Sequence, residues 1–590
     1  MGFANRSGES LPAHLSQQEG IVAYFSMEIA VSPGMPTYSG GLGVLAGDTL
    51  RSAADLGLGM AAVTLLHRKG YFRQILDAAG VQSEVEQPWD FETALRLQPP
   101  VVEVAMEGRV VAVRAWRYDL QGVHGHVVPI YFLDTDLERN EARDRALTDH
   151  LYGGDSDYRL RQEAVLGLGG ARMLEALGCK VRVYHMNEGH AALLTAALME
   201  RRLGGDMSAP IRPEDVGAVR HLCVFTTHTP VPAGHDRFSP EQAGRILGGA
   251  LAGLLERMGA RSDGAFNLTC LALACSRFVN GVAMQHGRVS REMFPQYEID
   301  AITNGVHAAT WLSAPLQELF DRRLTGWRRD NLRLRYAIEI SPGEIAGAHA
   351  ESKRALLEMV NRSAGAGFDS EVFTMGFARR AATYNRADLL FSDPERLARC
   401  AERFGGIQIL FSGKAHPQDE PGKSLIRRIF EAKAALRSHA LKVAYLENYE
   451  WSLGARLTAG VDLWLNTPRR PLEASGTSGM KAALNGVPSL SILDGWWMEG
   501  CIEGITGWAI PDLDTPEEEA AALYAKLESS ILPLYAGDRP GWNRLMRSTI
   551  ALNGSYFNTH RMLEQYAANA YFPAAAATLS RRSLEPAFSH

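Results

Sequence analysis

Lys481 follows a loop of small residues, and an amine beside such a loop could do chemistry on a phosphorylated aldehyde. The loop runs Ala-Ser-Gly-Thr-Ser-Gly from 474 to 479 and leads into the helix-forming Met-Lys-Ala-Ala-Leu. Free backbone N–H groups at a helix start, with the hydroxyls of Thr477 and Ser478, form a cradle for an anion. We expect Lys481 in the first turn beside this cradle, where it could form a Schiff base with an aldehyde whose phosphate the loop holds. A capped helix with a surface lysine explains the same residues, and spacing alone does not choose between the two.

Two other motifs have weaker chemical interpretations. Residues 40–47 contain Gly-x-Gly-x-x-Ala, a dinucleotide fingerprint, but they follow their strand by more than ten residues, whereas that motif needs an immediate turn. The segment HMNEGH offers His185, Glu188 and His190, but their spacing fits no standard zinc motif. We therefore expect neither a nucleotide site at the glycines nor a bound metal.

Short apolar runs alternate with amphipathic stretches along the whole chain, and this predicts an α/β protein. Strands are expected in two series: IVAYFS (21–26), MAAVTLL (60–66), VVPIYFL (127–133), VRVYHM (181–186) and HLCVFTT (221–227), then EVFTMGFA (371–378), IQILFS (407–412), LKVAYL (441–446), VDLWLN and VPSLSIL (487–493). Helical patterns such as 161–178 and 424–436 lie between them. Alternation of this kind favours parallel sheets covered by helices, and the two series predict two doubly wound, Rossmann-like domains with a ligand cleft between them.

We place the domains at 1–306 and 307–570, with a poorly ordered tail at 571–590 that is rich in Ala and Ser. A chain of 590 residues is too long for one hydrophobic core.

Composition excludes several classes of function. The chain has 61 Lys and Arg against 67 Asp and Glu, a net charge of -6, which argues against nucleic acid or an anionic membrane as the main partner. None of the six cysteines forms a Cys-x-x-Cys pair, so a reducing compartment is expected. The sequence shows neither a signal-peptide core nor a run of about 18 apolar residues, so we predict a cytoplasmic protein.

The segment EASGTSGMKAALNG resembles the pyridoxal-phosphate signature of the α-glucan (glycogen, starch and maltodextrin) phosphorylases, most closely their bacterial branch. Ordered matches extend over residues 20–515. They include YFSMEIA, YSGGLGVLAGD, QEAVLGLGG, HMNEGH, FTTHTPVPAGHDRF, ITNGVH, GFARRAATYNRADLLFSDPERL, FSGKAHP, LENYE and DGWWMEG. The resemblance covers the two-domain catalytic core of the longer family members and implies a GT-B fold.

The same resemblance implies reversible phosphorolysis of α-1,4-glucan or maltodextrin by inorganic phosphate. Glucose 1-phosphate would be released with its anomeric configuration retained, and the 5′-phosphate of pyridoxal 5′-phosphate would exchange a proton with the substrate phosphate. A phosphate whose second pKa is about 6 suits acid–base work near neutral pH. Homodimers are usual in the family, so a second copy of the chain is one expected partner.

Matching positions carry the family's site residues onto this chain. Lys481 would hold the cofactor, with Thr477, Ser478, Gly479 and Arg379 around the cofactor phosphate. The glycine turn at Gly40, Gly41 and Leu42 would press its backbone against phosphate and sugar, where a Cβ would obstruct approach.

On the substrate side, the resemblance implies that Arg380 binds phosphate and that Tyr384 lines the pocket. The glucosyl hydroxyls would be bound by Glu473, Ser475, Gly476, Asn304 and His228, and the main-chain carbonyl of His228 would face the developing positive charge.

Asn385 departs from the pattern, because the family has a lysine at this position in the phosphate site. A charged hydrogen bond contributes more than a neutral one, by about 1 kcal/mol or more. We therefore expect a raised KM for phosphate or a slow enzyme. Two other functions stay open: a homologue with another donor or acceptor, such as a nucleotide-sugar glycosyltransferase, and a glucan-binding protein with little turnover.

Overall fold

The computed structural model describes residues 20–231, 234–436 and 438–573. Within these ranges the chain is mixed α/β, with a large sheet from its first half, a second large sheet from its second half, and two small sheets of three and two strands. In chain order the strands are β1 (Ile21–Ser26), β2 (Met60–Leu65), β3 (Arg73–Leu76), β4 (Gln82–Val85), β5 (Arg96–Met106), β6 (Arg109–Gln121), β7 (Val127–Asp134), β8 (Val181–Asn187), β9 (Cys223–Thr226), β10 (Arg237–Phe238), β11 (Arg261–Ser262), β12 (Ala265–Asn267), β13 (Phe278–Gly281), β14 (Asp300–Ala301), β15 (Phe373–Ala378), β16 (Ile407–Ser412), β17 (Leu441–Leu446), β18 (Leu463–Asn466), β19 (Ser489–Ile492) and β20 (Gly507–Ile510).

Helices of eight residues or more connect these strands. They are α1 (Gly41–Leu56), α2 (Ser156–Ala164), α3 (Leu194–Arg202), α4 (Pro213–Leu222), α5 (Pro240–Leu247), α6 (Gly249–Arg257), α7 (Met284–Met293), α8 (Ala314–Arg323), α9 (Pro342–Ala364), α10 (Pro394–Arg403), α11 (Glu420–Ala435), α12 (Trp451–Gly460), α13 (Thr477–Leu484), α14 (Pro516–Lys526), α15 (Arg539–Thr549) and α16 (Thr559–Tyr566). Over the described part of the chain, no helix combines the length and the apolarity needed to cross a membrane.

The larger sheet has the strand order β14–β13–β9–β8–β1–β2–β7–β6–β5. From β14 to β7 the strands run parallel, whereas β6 pairs antiparallel with both β7 and β5. β1 is apolar and almost wholly buried, as expected for a parallel strand covered on both faces. In register, Ser26 at the end of β1 lies opposite Asn187 at the end of β8, so the segments that follow leave the sheet side by side.

The second sheet has the order β17–β16–β15–β18–β19–β20, and its neighbouring strands are parallel. This is the doubly wound arrangement, in which the chain reverses direction across the sheet between β15 and β18. Ligands in such sheets bind beyond the carboxyl ends of the strands at this switch point. The segments that begin at Arg379 and at Thr467 leave the sheet there.

The end of the chain returns to the first half. Oγ of Ser52 in α1 lies 2.6 Å from Oγ1 of Thr559 in α16, and the Tyr571 hydroxyl lies 2.7 Å from Nδ1 of His185. The division of the chain at residue 306 stays a prediction, and α16 packs against α1 in the first half as well as against residues 331–339 in the second. Of the predicted tail, residues 574–590 lie outside the described residues.

The ten predicted strands lie within two residues of the observed bounds at either end, and β1, β16 and β17 have the predicted bounds. The parallel strands β13, β14 and β20 were not predicted. The long antiparallel pair β5–β6 was not predicted. The predicted helix at 161–178 consists of α2, a π-helical turn at Val165–Gly169 and a short helix at Gly170–Ala176. The six cysteines, all in the described residues, are free thiols.

Candidate active site

Lys481 lies inside the protein with an unpaired amine. Its side chain projects from α13, only 7% of the residue is exposed, and its amine has neither a hydrogen bond nor an ion pair with any described residue. Nζ instead lies 3.6 Å from the centroid of the Trp311 ring. Burial lowers the pKa of Lys481 to about 8, although the carboxylate of Asp48 acts in the opposite direction. A desolvated amine of this kind is a better nucleophile at neutral pH than a surface lysine.

A stack of aromatic rings lies beneath Lys481. Trp311 stacks on Trp451 with 5.5 Å between the ring centroids, and the Arg51 guanidinium lies 4.4 Å over the other face of Trp451. These residues come from three segments that are far apart in the sequence. The stack fixes the floor of the site by packing, and neither tryptophan was predicted to belong to it.

The loop before α13 is shaped by one buried tryptophan. Gly476 has a φ of 90°, and a Cβ there would lie 3.1 Å from Cδ1 of Trp496. A Cβ at Gly479 would lie 2.7 Å from Cζ2 of the same ring, so only glycine fits. The helix begins at Thr477 with no side-chain cap, which leaves N–H groups at its start for an anion. Lys481 is thus the fifth helical residue, in the second turn rather than the predicted first.

Two charged residues of the predicted site pair with each other. The guanidinium of Arg379, which directly follows β15, forms a hydrogen-bonded ion pair with Glu473. Burial acts to lower the pKa of Arg379, but the Glu473 carboxylate outweighs it and raises that pKa. Nε of Arg379 is buried and has no partner among the described residues. The backbone N–H of Glu473 donates to Asp494 Oδ2 at 2.9 Å, and burial raises the pKa of Asp494 to about 6.

The segment after Arg379 holds the predicted phosphate residues. Arg380 is exposed and Tyr384 is half-buried. Asn385 is buried, and its Nδ2 donates to the backbone oxygen of Arg380 at 2.7 Å. Oδ1 of Asn385 has no partner in the described part of the chain. Asn385 also lines a cavity of 10 Å³, space for about one water molecule. This position therefore carries a neutral amide with an unused acceptor.

The glycine turn faces open space on one side and a carboxylate on the other. Glu28, which follows β1, accepts hydrogen bonds from the backbone N–H groups of Ser39 at 2.5 Å and Gly40 at 3.2 Å. A Cβ at Gly40 or Gly41 would have no protein atom within 4 Å, whereas one at Gly43 would lie 2.7 Å from Oε2 of Glu28. Leu42 is half-buried in the first turn of α1. The open side of Gly40 and Gly41 leaves room for a ligand against the backbone.

Near the predicted sugar site, Asn304 joins the two halves of the chain, whereas His228 bonds to residues of the first half. Nδ2 of Asn304 donates to Oγ of Ser475 at 3.0 Å, and the other amide atom of Asn304, Oδ1, is buried without a partner among the described residues. His228 follows β9; its backbone N–H donates to Glu188 at 2.8 Å and its Nε2 lies 2.6 Å from Oδ1 of Asn187. Burial lowers the pKa of His228 to about 4, so its ring is neutral near pH 7.

The three residues of HMNEGH bind separate partners. Nε2 of His185 lies 2.8 Å from Oγ1 of Thr226, Glu188 accepts from His228, and Nε2 of His190 lies 3.3 Å from Oδ2 of Asp236. Glu28 and Glu188 lie in motifs that the sequence highlighted, but their role as acceptors for loop N–H groups could not be derived from the sequence alone.

The fold and the site together define a GT-B α/β enzyme, with a buried lysine, arginines and free helix N–H groups at the carboxyl ends of parallel strands. The sequence profile of the carbohydrate phosphorylase family matches residues 252–503. The chain is 38% identical to the maltodextrin phosphorylase of Thermococcus litoralis over 94% of its own length and 71% of that relative. It is also 38% identical to the glycogen phosphorylase of Mycobacterium tuberculosis, with the same coverage, and 34% identical to that of Aquifex aeolicus over 92% of the chain and 85% of the relative. The chain belongs to the carbohydrate phosphorylase family.

Proposed function

We propose that this chain is an α-glucan phosphorylase that carries pyridoxal 5′-phosphate on Lys481. It cleaves α-1,4-glucan or maltodextrin with inorganic phosphate and releases glucose 1-phosphate with retained configuration, and the reaction is reversible. The observation that carries the proposal is the amine of Lys481, which is buried in the cleft without a hydrogen bond or an ion pair among the described residues. A buried lysine without a partner is costly unless a ligand uses it.

The surrounding residues fit that cofactor. The start of α13 offers N–H groups and the hydroxyls of Thr477 and Ser478 to a phosphate, Gly479 lets the loop pack closely, and Arg379 has a buried Nε with no described partner. Trp311 supplies a flat apolar surface of the kind that a pyridine ring requires. When bound, the cofactor supplies a phosphate group that can pass a proton to a second phosphate near neutral pH.

The remaining residues bind the substrates. Arg380 and the N–H groups at Gly40, Gly41 and Leu42 hold the substrate phosphate, and Tyr384 lines the pocket. Asn304, Ser475, Gly476, Glu473 and His228 orient the terminal glucosyl unit. His228 is a hydrogen-bonding group rather than a general acid, because burial keeps its ring neutral. Cationic groups and helix N–H groups in a closed cleft stabilise the charge that develops between sugar and phosphate.

The direct test is incubation of the purified protein with maltodextrin and inorganic phosphate, scoring glucose 1-phosphate. The proposal predicts product that depends on both substrates and is lost in Lys481→Arg, which keeps the positive charge but lacks the reactive amine. Absence of product from protein that carries the cofactor would contradict phosphorolysis. Protein that shows no cofactor absorbance would contradict the role of Lys481 and favour a glycosyltransferase that uses a nucleotide sugar.

The second candidate is that the chain is a phosphorylase homologue with weak or altered phosphate use, or that it binds glucan with little turnover. Asn385 favours it, because a neutral amide replaces a cation next to Arg380. Cofactor binding and maltodextrin binding, together with phosphorolysis that stays undetectable even at high phosphate, would support this function over the first.

We also propose that the protein acts in the cytoplasm and that it can form a homodimer. Free cysteines are consistent with a reducing compartment. Sedimentation of the purified protein tests the dimer.

A further inference from the structure

Asp48 is a buried carboxylate that is only partly neutralised by its neighbours. It lies on α1, and 1% of the residue is exposed. Its Oδ2 accepts hydrogen bonds from Nε1 of Trp311 at 2.7 Å and from the backbone N–H of His307 at 3.1 Å. Its Oδ1 has no hydrogen-bond partner among the described residues, and Nη1 of Arg51 lies 3.6 Å away. The carboxylate is thus held firmly at one oxygen and is free to act electrostatically at the other.

Trp311 connects this carboxylate to the amine of Lys481. The indole N–H of Trp311 donates to Asp48, while the face of the same ring lies 3.6 Å from Nζ of Lys481. A hydrogen bond to a carboxylate polarises the indole towards its ring, which strengthens the attraction between that ring and a cation. Asp48 therefore fixes the surface beneath the amine and makes it more attractive to positive charge.

We propose that Asp48 is a positioning residue for Lys481, which fixes Trp311 beneath the amine and supplies the counter-charge for a cationic nitrogen at this position. The inference rests on the proposed function, in which Lys481 carries the cofactor. It assigns to α1 a second role beside the glycine turn at its start: one helix presents N–H groups to phosphate at its first turn and a carboxylate to the lysine about two turns later.

The other charged and titratable groups around Asp48 either bond to different partners or weaken the electrostatic effect of its carboxylate. Arg51, on the same helix, lies between Asp48 and the Trp451 ring and weakens the field of the carboxylate. His307 directs Nε2 to Asp55 at 2.8 Å and Nδ1 to Thr310 at 2.7 Å, away from Asp48. In the described part of the chain, Asp48 is the charged side chain that acts on the pKa of Lys481.

The test measures the reactivity of Lys481 in the full-length, cofactor-free protein. Trace acetic anhydride is added at a series of pH values, and acetylation of the peptide that contains Lys481 is followed by mass spectrometry. We expect Asp48→Asn, which keeps an oxygen for Trp311 but removes the charge, to lower the pH midpoint of labelling by about one unit. We expect Arg51→Met, which removes the cation that competes for Asp48, to raise it. Asp55→Asn removes another buried carboxylate from the same helix and is expected to leave the midpoint unchanged.

Shifts of opposite sign separate an electrostatic role from structural damage, because a disturbed fold would not raise the midpoint in one variant and lower it in the other. An unchanged midpoint in Asp48→Asn, or shifts of the same sign in both variants, would overturn the inference. If Asp48→Asn does not fold, Arg51→Met decides alone, and an unchanged midpoint there overturns it. Opposite shifts in a protein that never binds pyridoxal 5′-phosphate would leave the role of Asp48 standing and reject the proposed function.

Discussion

Arg379 and Glu473 form a partly buried ion pair across the switch point of the second sheet, between the segments that follow β15 and β18. In the proposed function these two residues bind different things: Arg379 the cofactor phosphate and Glu473 the sugar hydroxyls. In this structure each of them bonds to the other. Binding of either ligand must break the ion pair or leave one of its residues bound to two partners. Binding of the cofactor and binding of the sugar are therefore coupled.

The first prediction follows from this coupling. Glu473→Gln frees Arg379 for the cofactor phosphate, and a hydrogen bond to a charged group contributes about 1.5–3 kcal/mol. We expect tighter binding of pyridoxal 5′-phosphate, by about tenfold, together with a raised KM for maltodextrin. Absorbance titration of the cofactor-free protein and steady-state kinetics measure the two effects. Weaker cofactor binding in this variant would show that the pair supports the site rather than competing with ligands.

The glycine turn offers a matched pair of substitutions. A Cβ at Gly41 meets no protein atom within 4 Å, so Gly41→Ala is expected to keep the thermal stability while blocking phosphate and raising its KM by about tenfold or more. At Gly43 a Cβ lies 2.7 Å from Glu28, so Gly43→Ala is expected to destabilise the protein by about 1–3 kcal/mol. Calorimetry and phosphate kinetics on both variants check this. Equal phosphate KM values for wild type and Gly41→Ala would mean that phosphate binds elsewhere.

Asn385 provides the third prediction. Asn385→Lys places a cation at the position beside Arg380 and is expected to lower the KM for phosphate by about tenfold, equivalent to about 1.4 kcal/mol. Thr383→Lys is the matched control, because it adds the same charge at an exposed position of the same turn. The hypothesis that Asn385 limits phosphate use is wrong if the two variants have the same phosphate KM as the wild type.

Much of this architecture could be predicted from the sequence, because local patterns determine it. β16 and β17 are short, mostly apolar runs bounded by turns, and their predicted bounds are confirmed. The antiparallel pair β5–β6 could not be predicted in the same way. β5 contains two prolines and mixes exposed with buried positions, which hides its alternation.

The same distinction applies to the candidate site: neighbours in the sequence could be predicted to belong to it, and contacts between distant residues could not. Lys481 and its loop are contiguous in the sequence, so the sequence singled them out, although spacing alone did not choose between a cofactor site and a capped helix. The contact between Asp48 and Trp311 joins positions 263 residues apart, and only the folded chain brings the two together. The place of Trp451 and Arg51 in the site could likewise not be predicted, since an aromatic stack assembled from separate segments leaves no periodic pattern in the sequence.

The pKa of Lys481 gives a prediction for pH. Burial lowers that pKa to about 8, and only the neutral amine attacks an aldehyde. The rate at which the cofactor-free protein takes up pyridoxal 5′-phosphate is therefore expected to rise about tenfold per unit as the pH approaches 8 from below, and to level off above it. Stopped-flow absorbance measures the rate. A rate that is flat from about pH 6.5 to 9 would contradict a desolvated lysine.

The most direct measurement is borohydride reduction of the cofactor-loaded protein followed by peptide mapping. Lys414 is an internal control, since burial also lowers its pKa to about 8, but its amine donates to the backbone oxygen of Phe72 at 2.9 Å. The account predicts one reduced pyridoxyl adduct, on Lys481, and none on Lys414. A reduced adduct on Lys414 or elsewhere, with Lys481 unmodified, would contradict it.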